Sequence, residues 1–453
     1  MELHTQPLPY EKVFRDPIHD YIHIHDQVIL DLINTREFQR LRRIKQLGTT
    51  SFTFHGAEHT RFGHSLGVYE VTRQICDMFE RQYPKSKEGK DGWNADERLI
   101  ALCAALLHDI GHGAYSHTFE DLFGTNHEKI GIAIIQSPET EVNAVLKQVH
   151  PQFPEIVASV IAKKYPNPQV VQMISSQADA DRMDYLLRDA YYTGVEYGVY
   201  DLTRILRVMR PYRDGICFHD TGMHAVEDYI ISRYQMFMQV YFHPVSRGME
   251  VVLQRLLERA KDCYQSDPHY FEQYCERLVP FLDGDYTLDD YLQLDDGVLD
   301  TYFQAWMHSN DPILADLSNR FINRKPFKSI KIPNKTDLRH LRKLTTLLEH
   351  LGFDSKYYAA INSASDVPYD IYHARKHHPK TQIELRREDG TLVELSQCSE
   401  MVHALSGETK SDPRFYFPRE VLKPNDDMKQ NADIIAFHRY IQNGTFNNKG
   451  ESE

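Results

Sequence analysis

Histidines and aspartates in three separate stretches of the chain are the residues best suited to chemistry. His64 opens one helical segment, the pair His108 and Asp109 ends another, and three aspartates lie in residues 179–184. Neutral imidazoles and carboxylates are ligands that borderline divalent metals accept, and both groups are costly to bury unless they are paired or bound to an ion. The pattern predicts a metal site. For an isolated His-Asp pair, the alternative is an ordinary structural hydrogen bond.

The segment before His108 predicts a buried helix. Nine apolar residues run without interruption from Leu99 to Leu107, so the helix has no polar face. The run is far shorter than the ~20 residues that span a bilayer. Gly111 follows closely and predicts the C-cap of this helix.

A further predicted helix carries a potential ligand, a phenol and a second carboxylate on one face. Asp181, Tyr185 and Asp189 are spaced at i, i+4 and i+8, which brings their side chains to the same side of a helix. The residues alone leave the choice of a metal ligand among Asp179, Asp181 and Asp184 open.

Helical periodicity dominates to about residue 280, which predicts a mainly α fold: a helical bundle with a smaller C-terminal α+β lobe. In that lobe, the alternating pattern on both sides of Asp389-Gly390 predicts a hairpin. The expected units are a first domain over residues 1–330 with its catalytic core at about 45–200, a lobe over 331–442 and a flexible tail over 443–453.

Composition excludes several classes of protein. The chain has 453 residues and a net charge of −13, and general nucleic-acid binding depends on cationic patches. Its start has no basic segment followed by an apolar stretch, and its six cysteines form no Cys-x-x-Cys pair. We therefore expect a cytoplasmic, reduced protein with no membrane segment and no general nucleic-acid binding.

Other polar clusters are interpreted as surface features. Seven aspartates in residues 283–300 predict a solvated amphipathic stretch. Two groups of histidines have no carboxylate at a convincing spacing and are predicted to lie on the surface: His19, His23 and His25, and His373, His377 and His378.

The chemistry-bearing stretches resemble the HD-domain phosphohydrolases, in which a first histidine, a His-Asp pair about forty residues later and a distant aspartate occur in this order. Further motifs look like those of one group, the deoxynucleoside triphosphate triphosphohydrolases, which contains the human SAM-and-HD-domain enzyme and bacterial relatives. They are Lys12-Val13, Asp16-Pro17-Ile18-His19, 38–42, 44–48, 60–68, 108–117, 126–128 and 181–189. The resemblance covers about residues 10–330 and implies a bacterial member without the SAM domain.

The resemblance implies a divalent metal held by His64, His108, Asp109 and Asp181. It is the resemblance, and not the spacing, that selects Asp181 from the three aspartates. Such a ligand set leaves positions open for water and a phosphate oxygen. The metal could be Mg, Mn, Fe or Zn, because ligand type does not decide among them.

The implied reaction is hydrolysis of the bond between the 5′-oxygen and the α-phosphorus of a deoxynucleoside triphosphate (dNTP), which gives deoxynucleoside and inorganic triphosphate. Arg61 would hold the polyphosphate. His112, His117 and His127 would contact phosphate and handle protons, with His117 protonating the leaving oxygen. Glu120 occupies the position at which the human enzyme has an aspartate paired with the histidine that matches His127.

Nucleoside contacts of the family map onto six positions: Gln46, Leu47, Tyr185, Asp189, Arg233 and Tyr241. The resemblance implies that Tyr241 packs where a 2′-hydroxyl would lie and so selects deoxyribose. Phe242 stands where the human enzyme has a polar amide, and base contacts are expected to differ.

A regulatory site for a guanine nucleotide such as dGTP is also implied, between the subunits of a homotetramer. The matching residues are Lys12, Val13, Asn34, Gln39 and Arg42, with Arg204, Arg324 and Lys328 contributed by neighbouring chains. Asn34 occupies the position of the guanine-reading aspartate, and His219 and Thr221 replace basic residues of a further nucleotide site.

Two other functions are consistent with the sequence. One is an HD-domain phosphohydrolase that acts on a nucleoside monophosphate, a cyclic nucleotide or a guanosine alarmone. The other is a non-enzymatic regulator that senses nucleotides through the same pocket.

Overall fold

A β-hairpin forms the N-terminal part of the computed structural model, which describes residues 3–4, 6–332, 338–366, 382–406, 410–422, 431–442 and 445–446. Strand β1 (Pro7–Asp16) pairs antiparallel with β2 (Asp20–Asp26). Ile22 and Ile24 of β2 are buried, whereas the intervening His23 is directed away from the core. The alternation expected for a strand with one buried face is therefore present.

A helical bundle follows this hairpin. Its helices are α1 (Gln27–Asn34), α2 (Arg36–Arg40), α3 (Arg61–Gln82), α4 (Lys85–Glu88), α5 (Arg98–Leu107), α6 (Ser116–Phe123), α7 (His127–Gln136), α8 (Glu141–Val149), α9 (Phe153–Ile161), α10 (Pro168–Ile174), α11 (Ala180–Thr193) and α12 (Leu202–Val208). Short 3₁₀ turns cover Leu41–Arg43, Gly48–Phe52, Gly89–Asp91 and Ala95–Glu97. The predicted mainly α fold is confirmed.

Helix α5 lies at the centre of the bundle. Every residue from Leu99 to Leu107 is buried, and α3 and α9 both pack against it. A helix that is apolar on all sides requires neighbours on all sides. The polar pair that ends this helix is therefore held deep in the molecule.

The expected role of Gly111 as the C-cap of α5 is wrong. Helix α5 ends at Leu107, and Gly111 lies in the turn beyond it. A Cβ atom at Gly111 would lie 2.1 Å from the carbonyl oxygen of His127 and 2.3 Å from the backbone nitrogen of Gly131. Glycine is thus required by the close approach of α7 and not by helix termination.

The rest of the chain packs against this bundle and adds the smaller lobe. It consists of β3 (Met209–Tyr212), β4 (Gly215–His219), α13 (Met223–Met236), a π-helical turn (Phe237–Tyr241), α14 (Pro244–Ser266), α15 (Pro268–Tyr274), α16 (Val279–Asp283), α17 (Leu288–Leu292), α18 (Asp296–Trp306), α19 (Pro312–Ile322), β5 (Lys328–Lys331), α20 (Leu338–His350), α21 (Ser355–Tyr358), β6 (Ala360–Asp366), β7 (Glu384–Arg386), β8 (Leu392–Glu394), α22 (Leu395–Cys398), α23 (Glu400–Leu405), β9 (Lys410–Phe417), α24 (Ala432–Arg439), β10 (Ile441–Gln442) and β11 (Thr445–Phe446). Further 3₁₀ turns cover Asp220–Gly222 and Arg419–Val421.

Two small sheets tie the C-terminal lobe to the rest of the chain. One has the strand order β3-β4-β7-β8, and the other has the order β10-β11-β5-β9-β6. Strands β7 and β8 are antiparallel and flank Asp389-Gly390, as the hairpin prediction requires. The α+β character of the lobe is confirmed.

The proposed domain boundaries stay a prediction. In the segment predicted to be a flexible tail, Thr445 and Phe446 form β11, which pairs with β10 and β5. The other residues of 443–453 lie outside the described residues, as do His373, His377 and His378. None of the helices in the described ranges is both long enough and apolar enough to cross a membrane.

Arg40 holds the loop after α5 in place. Its side chain is buried and donates to the carbonyl oxygens of His112 at 2.7 Å, Leu294 at 3.0 Å and Tyr291 at 3.3 Å. One guanidinium thus joins α2 to two segments that are distant in sequence. Removing it would leave three carbonyl oxygens without this donor.

We expect Arg40→Ala to lower the free energy of unfolding by about 3 kcal/mol, because the variant loses charged hydrogen bonds and leaves buried carbonyl groups unpaired. Urea unfolding followed by circular dichroism measures this change. Arg213→Ala is the control, since the Arg213 side chain is 71% exposed, and we expect it to change stability by less than about 0.5 kcal/mol. Equal stabilities for the two variants would contradict the role of Arg40.

Candidate metal centre and active site

Close packing of α3 against α11 brings His64 to the aspartates of α11. A Cβ atom at Gly67, one turn after His64, would lie 1.8 Å from Asp184 Oδ1, so the glycine permits the approach of the two helices. His64 Nε2 lies 3.1 Å from Asp181 Oδ1 and 3.8 Å from Asp109 Oδ2. The three side chains therefore converge on one point.

His108 completes the group from the end of α5. Its Nδ1 lies 2.8 Å from the carbonyl oxygen of Ala105, which fixes the proton on Nδ1, because a carbonyl only accepts. The remaining nitrogen, Nε2, lies 3.4 Å from Asp109 Oδ1 and 3.6 Å from Asp181 Oδ1. It is buried and has no hydrogen-bond partner within the described part of the chain.

These four side chains fit a divalent metal. Two ligands that are each about 2.1 Å from a cation lie about 3.0–3.4 Å apart, close to the spacings between the donor atoms here. His64, His108 and Asp109 each offer one donor atom, and these atoms lie within 4.8 Å of one another. The orphaned Nε2 of His108 acquires a partner when a metal is bound.

The electrostatics of the centre also favour a cation. Burial alone would lower the pKa of His64, but hydrogen bonds to Asp181 and Asp184 outweigh it and raise the pKa to about 10. A site that retains a proton this firmly has an excess of negative charge, which a metal ion would balance.

The aspartates near position 181 have distinct positions. Asp179 is the N-cap of α11, and its carboxylate accepts from the backbone N–H of Arg182 at 2.8 Å. Asp184 is buried and accepts from His64 Nδ1 at 2.8 Å, on the far side of the imidazole. Asp181 alone of the three approaches His64 Nε2. The geometry therefore supports the choice that the family resemblance made.

Four further candidates form a cluster next to the metal centre. The rings of His112 and His127 stack with centroids 4.0 Å apart, and the ring of His117 lies within 5.7 Å of both. Glu120 accepts from His127 Nδ1 at 2.9 Å and from His117 Nδ1 at 3.3 Å. His112 Nε2 lies 3.3 Å from Asp109 Oδ1 and connects the cluster to the metal centre.

The members of this cluster differ in charge. Burial, reinforced by the nearby Arg61 cation, lowers the pKa of His112 to about 3, so this imidazole is neutral at ordinary pH. Burial alone would raise the pKa of Glu120, but hydrogen bonds from His117 and His127 outweigh it and lower the pKa below its ordinary value. His117 is 67% exposed and lies at the mouth of the cluster.

Strained backbone precedes His117. Tyr115 and Ser116 have φ values of 49° and 42°, in a region that residues other than glycine rarely occupy. Asp296 holds this segment by accepting from the backbone N–H of Tyr115 at 2.8 Å, and it accepts from the backbone N–H of Lys45 at the same distance. Ser116 Oγ in turn lies 3.0 Å from Arg61 Nη2.

The prediction that residues 283–300 form a solvated stretch is therefore wrong for two of the aspartates. Asp295 and Asp296 are both buried. Asp296 holds both the loop before His117 and the segment before Gln46 through hydrogen bonds to their backbone. The residues around Asp296 in the sequence do not predict these two contacts. Burial raises the pKa of Asp296 to about 6.

Two of the candidate nucleoside residues, Tyr185 and Asp189, lie on α11 beyond Asp181. Asp189 accepts from Tyr241 Oη at 2.7 Å, and its other oxygen lies 2.8 Å from His59 Nε2. Tyr185 lies between the metal centre and Tyr241, with ring centroids 6.4 Å from His64 and 6.3 Å from Tyr241. His59 was not predicted as a site residue, although it begins the same motif as His64.

The remaining candidates are Arg61, Gln46, Leu47 and Arg233. Arg61 Nη1 lies 2.5 Å from Asp109 Oδ2. Gln46 Oε1 is buried without a hydrogen-bond partner among the described residues, and Leu47 beside it is half-buried. Arg233 is buried near Tyr185, where its charge opposes the burial that raises the pKa of the phenol to about 12.

The candidate effector residues lie on several elements of a single chain. Gln39 accepts from Arg42 Nε at 2.8 Å and donates to the carbonyl of Ile33 at 2.7 Å, beside the exposed Asn34 at the end of α1. Lys12 and Val13 lie exposed on β1. Arg204 lies on α12, Arg324 follows α19, and Lys328 begins β5. Within the described ranges, no hydrogen bond or ion pair joins these three residues to Lys12, Gln39 or Arg42.

His19 corrects the prediction of three surface histidines. Its side chain is only 3% exposed, and its Nε2 lies 2.7 Å from Asp184 Oδ1. The hairpin turn carries it inward, since Asp16 Oδ1 accepts from the backbone N–H of both Ile18 and His19. His23 and His25 do lie outside, beside the exposed Glu11.

Known proteins are similar to this chain over most of its length. The chain matches the HD domain over residues 61–189 and the HD-associated region over residues 200–277. It is 50% identical to the uncharacterized protein YwfO of Bacillus subtilis over 415 residues, which are 92% of this chain and 94% of that protein.

Two further similarities are to a named enzyme homolog and to a solved structure. A deoxynucleoside triphosphate triphosphohydrolase SAMHD1 homolog of Dictyostelium discoideum is 31% identical over 255 residues, which are 53% of this chain and 48% of that protein. This chain therefore spans about half of that relative. The crystal structure of a phosphohydrolase from Bacteroides thetaiotaomicron is similar with a TM-score of 0.75 at 28% identity, covering 90% of this chain and 99% of that one.

We expect metal binding to release a proton. Without metal, the pKa of His64 is about 10, so the imidazole is protonated at neutral pH, whereas a metal requires a neutral nitrogen. Affinity for Mn²⁺ should therefore rise with pH by up to about tenfold per unit between about pH 6 and 9. Calorimetric titration of chelator-treated protein in buffers of different ionisation enthalpy should show about one proton released per metal.

His224→Gln serves as the control for this titration, because His224 is an exposed histidine that pairs with Glu227 away from the centre. Its proton release should equal that of the unmodified chain. A Mn²⁺ affinity that does not change with pH would contradict the charge state assigned to His64.

Proposed function

Because the chain belongs to the HD-domain hydrolases that include the SAMHD1 deoxynucleoside triphosphate triphosphohydrolases, we propose that it hydrolyses dNTPs to deoxynucleoside and inorganic triphosphate. The reaction breaks the bond between the α-phosphorus and the 5′-oxygen. Water supplies the new oxygen on phosphorus, and a proton goes to the departing 5′-oxygen.

The observation that carries this proposal is the arrangement of two different binding groups along α11. Asp181 belongs to the metal centre and Asp189 to the pocket of Tyr185 and Tyr241. Eight residues of helix separate them by about 12 Å. A single ligand with phosphate at one end and a sugar hydroxyl at the other can therefore reach both groups.

A divalent metal held by His64, His108, Asp109 and Asp181 would supply polarisation of a phosphate oxygen and a water nucleophile at neutral pH. Arg61 supplies a fixed cation beside Asp109, suited to bidentate contact with phosphate. Its hydrogen bond to Ser116 orients the guanidinium toward the same space.

His117 is the proposed proton donor to the 5′-oxygen. Its Nδ1 faces Glu120, so Nε2 is directed away from the carboxylate toward the open side of the cluster. His127 anchors Glu120 from the other side. The buried His112 is neutral at ordinary pH and so carries no acidic imidazolium proton, and contact with phosphate through its N–H is the role left to it.

At the nucleoside end, Asp189 would accept a hydrogen bond from a sugar hydroxyl while His59 and Tyr241 hold its carboxylate. The Tyr241 ring would occupy the space of a 2′-hydroxyl. The buried oxygen of Gln46 would acquire a donor from the ligand. Leu47 and Arg233 would complete the contacts.

The proposal extends to regulation. Lys12, Val13, Asn34, Gln39 and Arg42 would bind dGTP together with Arg204, Arg324 and Lys328 of neighbouring copies in a cytoplasmic homotetramer. Among the described residues, no hydrogen bond or ion pair joins Arg204, Arg324 or Lys328 to the other members of the set, which is compatible with their contribution from neighbouring copies.

Product analysis in H₂¹⁸O tests the activity. Each dNTP is incubated with the chain and Mn²⁺, with and without dGTP, and products are separated by ion exchange. We expect free triphosphate that carries the ¹⁸O label, an unlabelled deoxynucleoside, and faster turnover of the other dNTPs when dGTP is present. Size-exclusion chromatography with dGTP should give a tetramer.

The variant His108→Ala/Asp109→Ala should lose at least about 10³-fold in turnover, because it removes half of the metal ligands. Release of pyrophosphate or monophosphate would instead support the other HD-domain activities on nucleotides. If cells that carry this double variant behaved like cells with the unmodified protein, the result would support the non-enzymatic regulator that senses nucleotides.

Substrate choice is tested at Tyr241. Tyr241→Ala should raise the kcat/KM for ribonucleotides relative to dNTPs by roughly tenfold, because the phenol no longer fills the space of the 2′-hydroxyl. The comparison uses all eight nucleotides in the product assay. Tyr191→Ala, at an exposed tyrosine on the same helix as Asp189, should leave the ratio unchanged. If the ratio of kcat/KM values were unchanged in Tyr241→Ala, the role of Tyr241 in selecting deoxyribose would be contradicted.

A further inference from the structure

Asp184 is the centre of a buried hydrogen-bond network behind the metal centre. One oxygen accepts from His64 Nδ1 at 2.8 Å and from Arg188 Nε at 2.8 Å. The other lies 2.7 Å from His19 Nε2 and 2.9 Å from Arg188 Nη2. All four contacts are to side chains, and the Asp184 side chain has no solvent exposure.

We propose that Asp184 is a positioning residue that prepares His64 to bind the metal. A carboxylate accepts hydrogen bonds, so the contact at Nδ1 places the proton of the imidazole on that nitrogen. In the neutral imidazole that a metal requires, the lone pair is then on Nε2, the atom that faces Asp181 and Asp109. Such partners fix the orientation of a metal-binding histidine and raise its basicity.

The N-terminal hairpin is part of this arrangement. His19 reaches Asp184 from the turn between β1 and β2. Asp16, at the end of β1, accepts from Arg188 Nη1 at 2.8 Å and from Arg188 Nη2 at 3.1 Å. The hairpin therefore holds both Asp184 and the arginine that neutralises it, although it lies more than 160 residues away in sequence.

The carboxylate is packed closely against the backbone of α3 at Gly67. A Cβ atom at Gly67 would lie 1.8 Å from Asp184 Oδ1 and 2.5 Å from Arg188 Nη2. The network is thus pressed against the backbone of α3, one turn from His64. A shift of the hairpin would be transmitted to the imidazole through a carboxylate that has little room to move.

A purely structural role predicts something different. If Asp184 only neutralised Arg188, its removal would destabilise the fold and leave the metal affinity of folded protein unchanged. If it orients His64, affinity falls in molecules that remain folded. Metal affinity measured on folded protein therefore separates the two roles.

The test uses the full chain, stripped with a chelator and titrated with Mn²⁺ alone, with free Mn²⁺ read by electron paramagnetic resonance. We expect Asp184→Asn to raise the Kd for Mn²⁺ by about 10–100-fold. His19→Leu should raise it in the same direction by a smaller factor. His23→Gln, at the exposed histidine of the same hairpin, is the matched control and should leave the Kd unchanged.

Circular dichroism of each metal-free variant verifies the fold. If Asp184→Asn does not fold, His19→Leu carries the test, since it leaves the Asp184–Arg188 pair in place. A Kd equal to that of the unmodified chain in a folded variant overturns the inference.

This inference rests on the proposed metal centre but not on the proposed substrate. A chain that binds Mn²⁺ and cleaves dNTPs, with variants of unaltered Kd, would refute only the role of Asp184. A chain that binds Mn²⁺ and loses affinity in Asp184→Asn, yet cleaves no dNTP, would refute only the proposed activity. Failure of the unmodified chain to bind Mn²⁺ would remove the basis of both.

Discussion

Three carboxylates that converge on one imidazole in the interior are the constraint on which the rest of the structure depends. Asp109, Asp181 and Asp184 all lie within 4 Å of His64, in surroundings where unbalanced charge is costly. Arg188 offsets part of this charge on one side, and Arg61 offsets part of it on the other. The bundle therefore encloses an excess of negative charge, which a bound cation would balance. The apolar helix α5 packs beside these groups and fixes their positions.

Distant segments are needed to keep such a site in place. Asp296 secures the strained turn before His117, and Arg40 fastens the carbonyl of His112. The hairpin contributes His19 from the opposite side. Each of these supports is a buried polar contact between segments that are far apart in sequence. The active site is consequently a property of the assembled bundle and not of any one motif.

The sequence predicts the local parts of this arrangement well. The apolar run before His108, the helical face of Asp181 and Asp189, and the hairpin at Asp389-Gly390 each follow from periodicity or turn chemistry. The buried positions of His19 and Asp296 do not, because their partners are remote and leave no periodic trace near them. Gly111 was misread for a similar reason: a glycine after a helix resembles a cap, whereas here it makes room for α7.

The π-helical turn Phe237–Tyr241 has a consequence of another kind. In a regular α-helix, the eight residues from Arg233 to Tyr241 would leave the two side chains about 80° apart around the axis. The wider π turn rotates less per residue and brings both to the side of Tyr185. Such a turn contains one residue more than the α-helical equivalent. Deletion of one residue from this turn would leave seven residues of regular helix between Arg233 and Tyr241, about 20° apart around the axis, so the two side chains would still share a face. Conversion of the turn to regular α-helix at constant length would instead rotate Tyr241 about 80° away from Arg233.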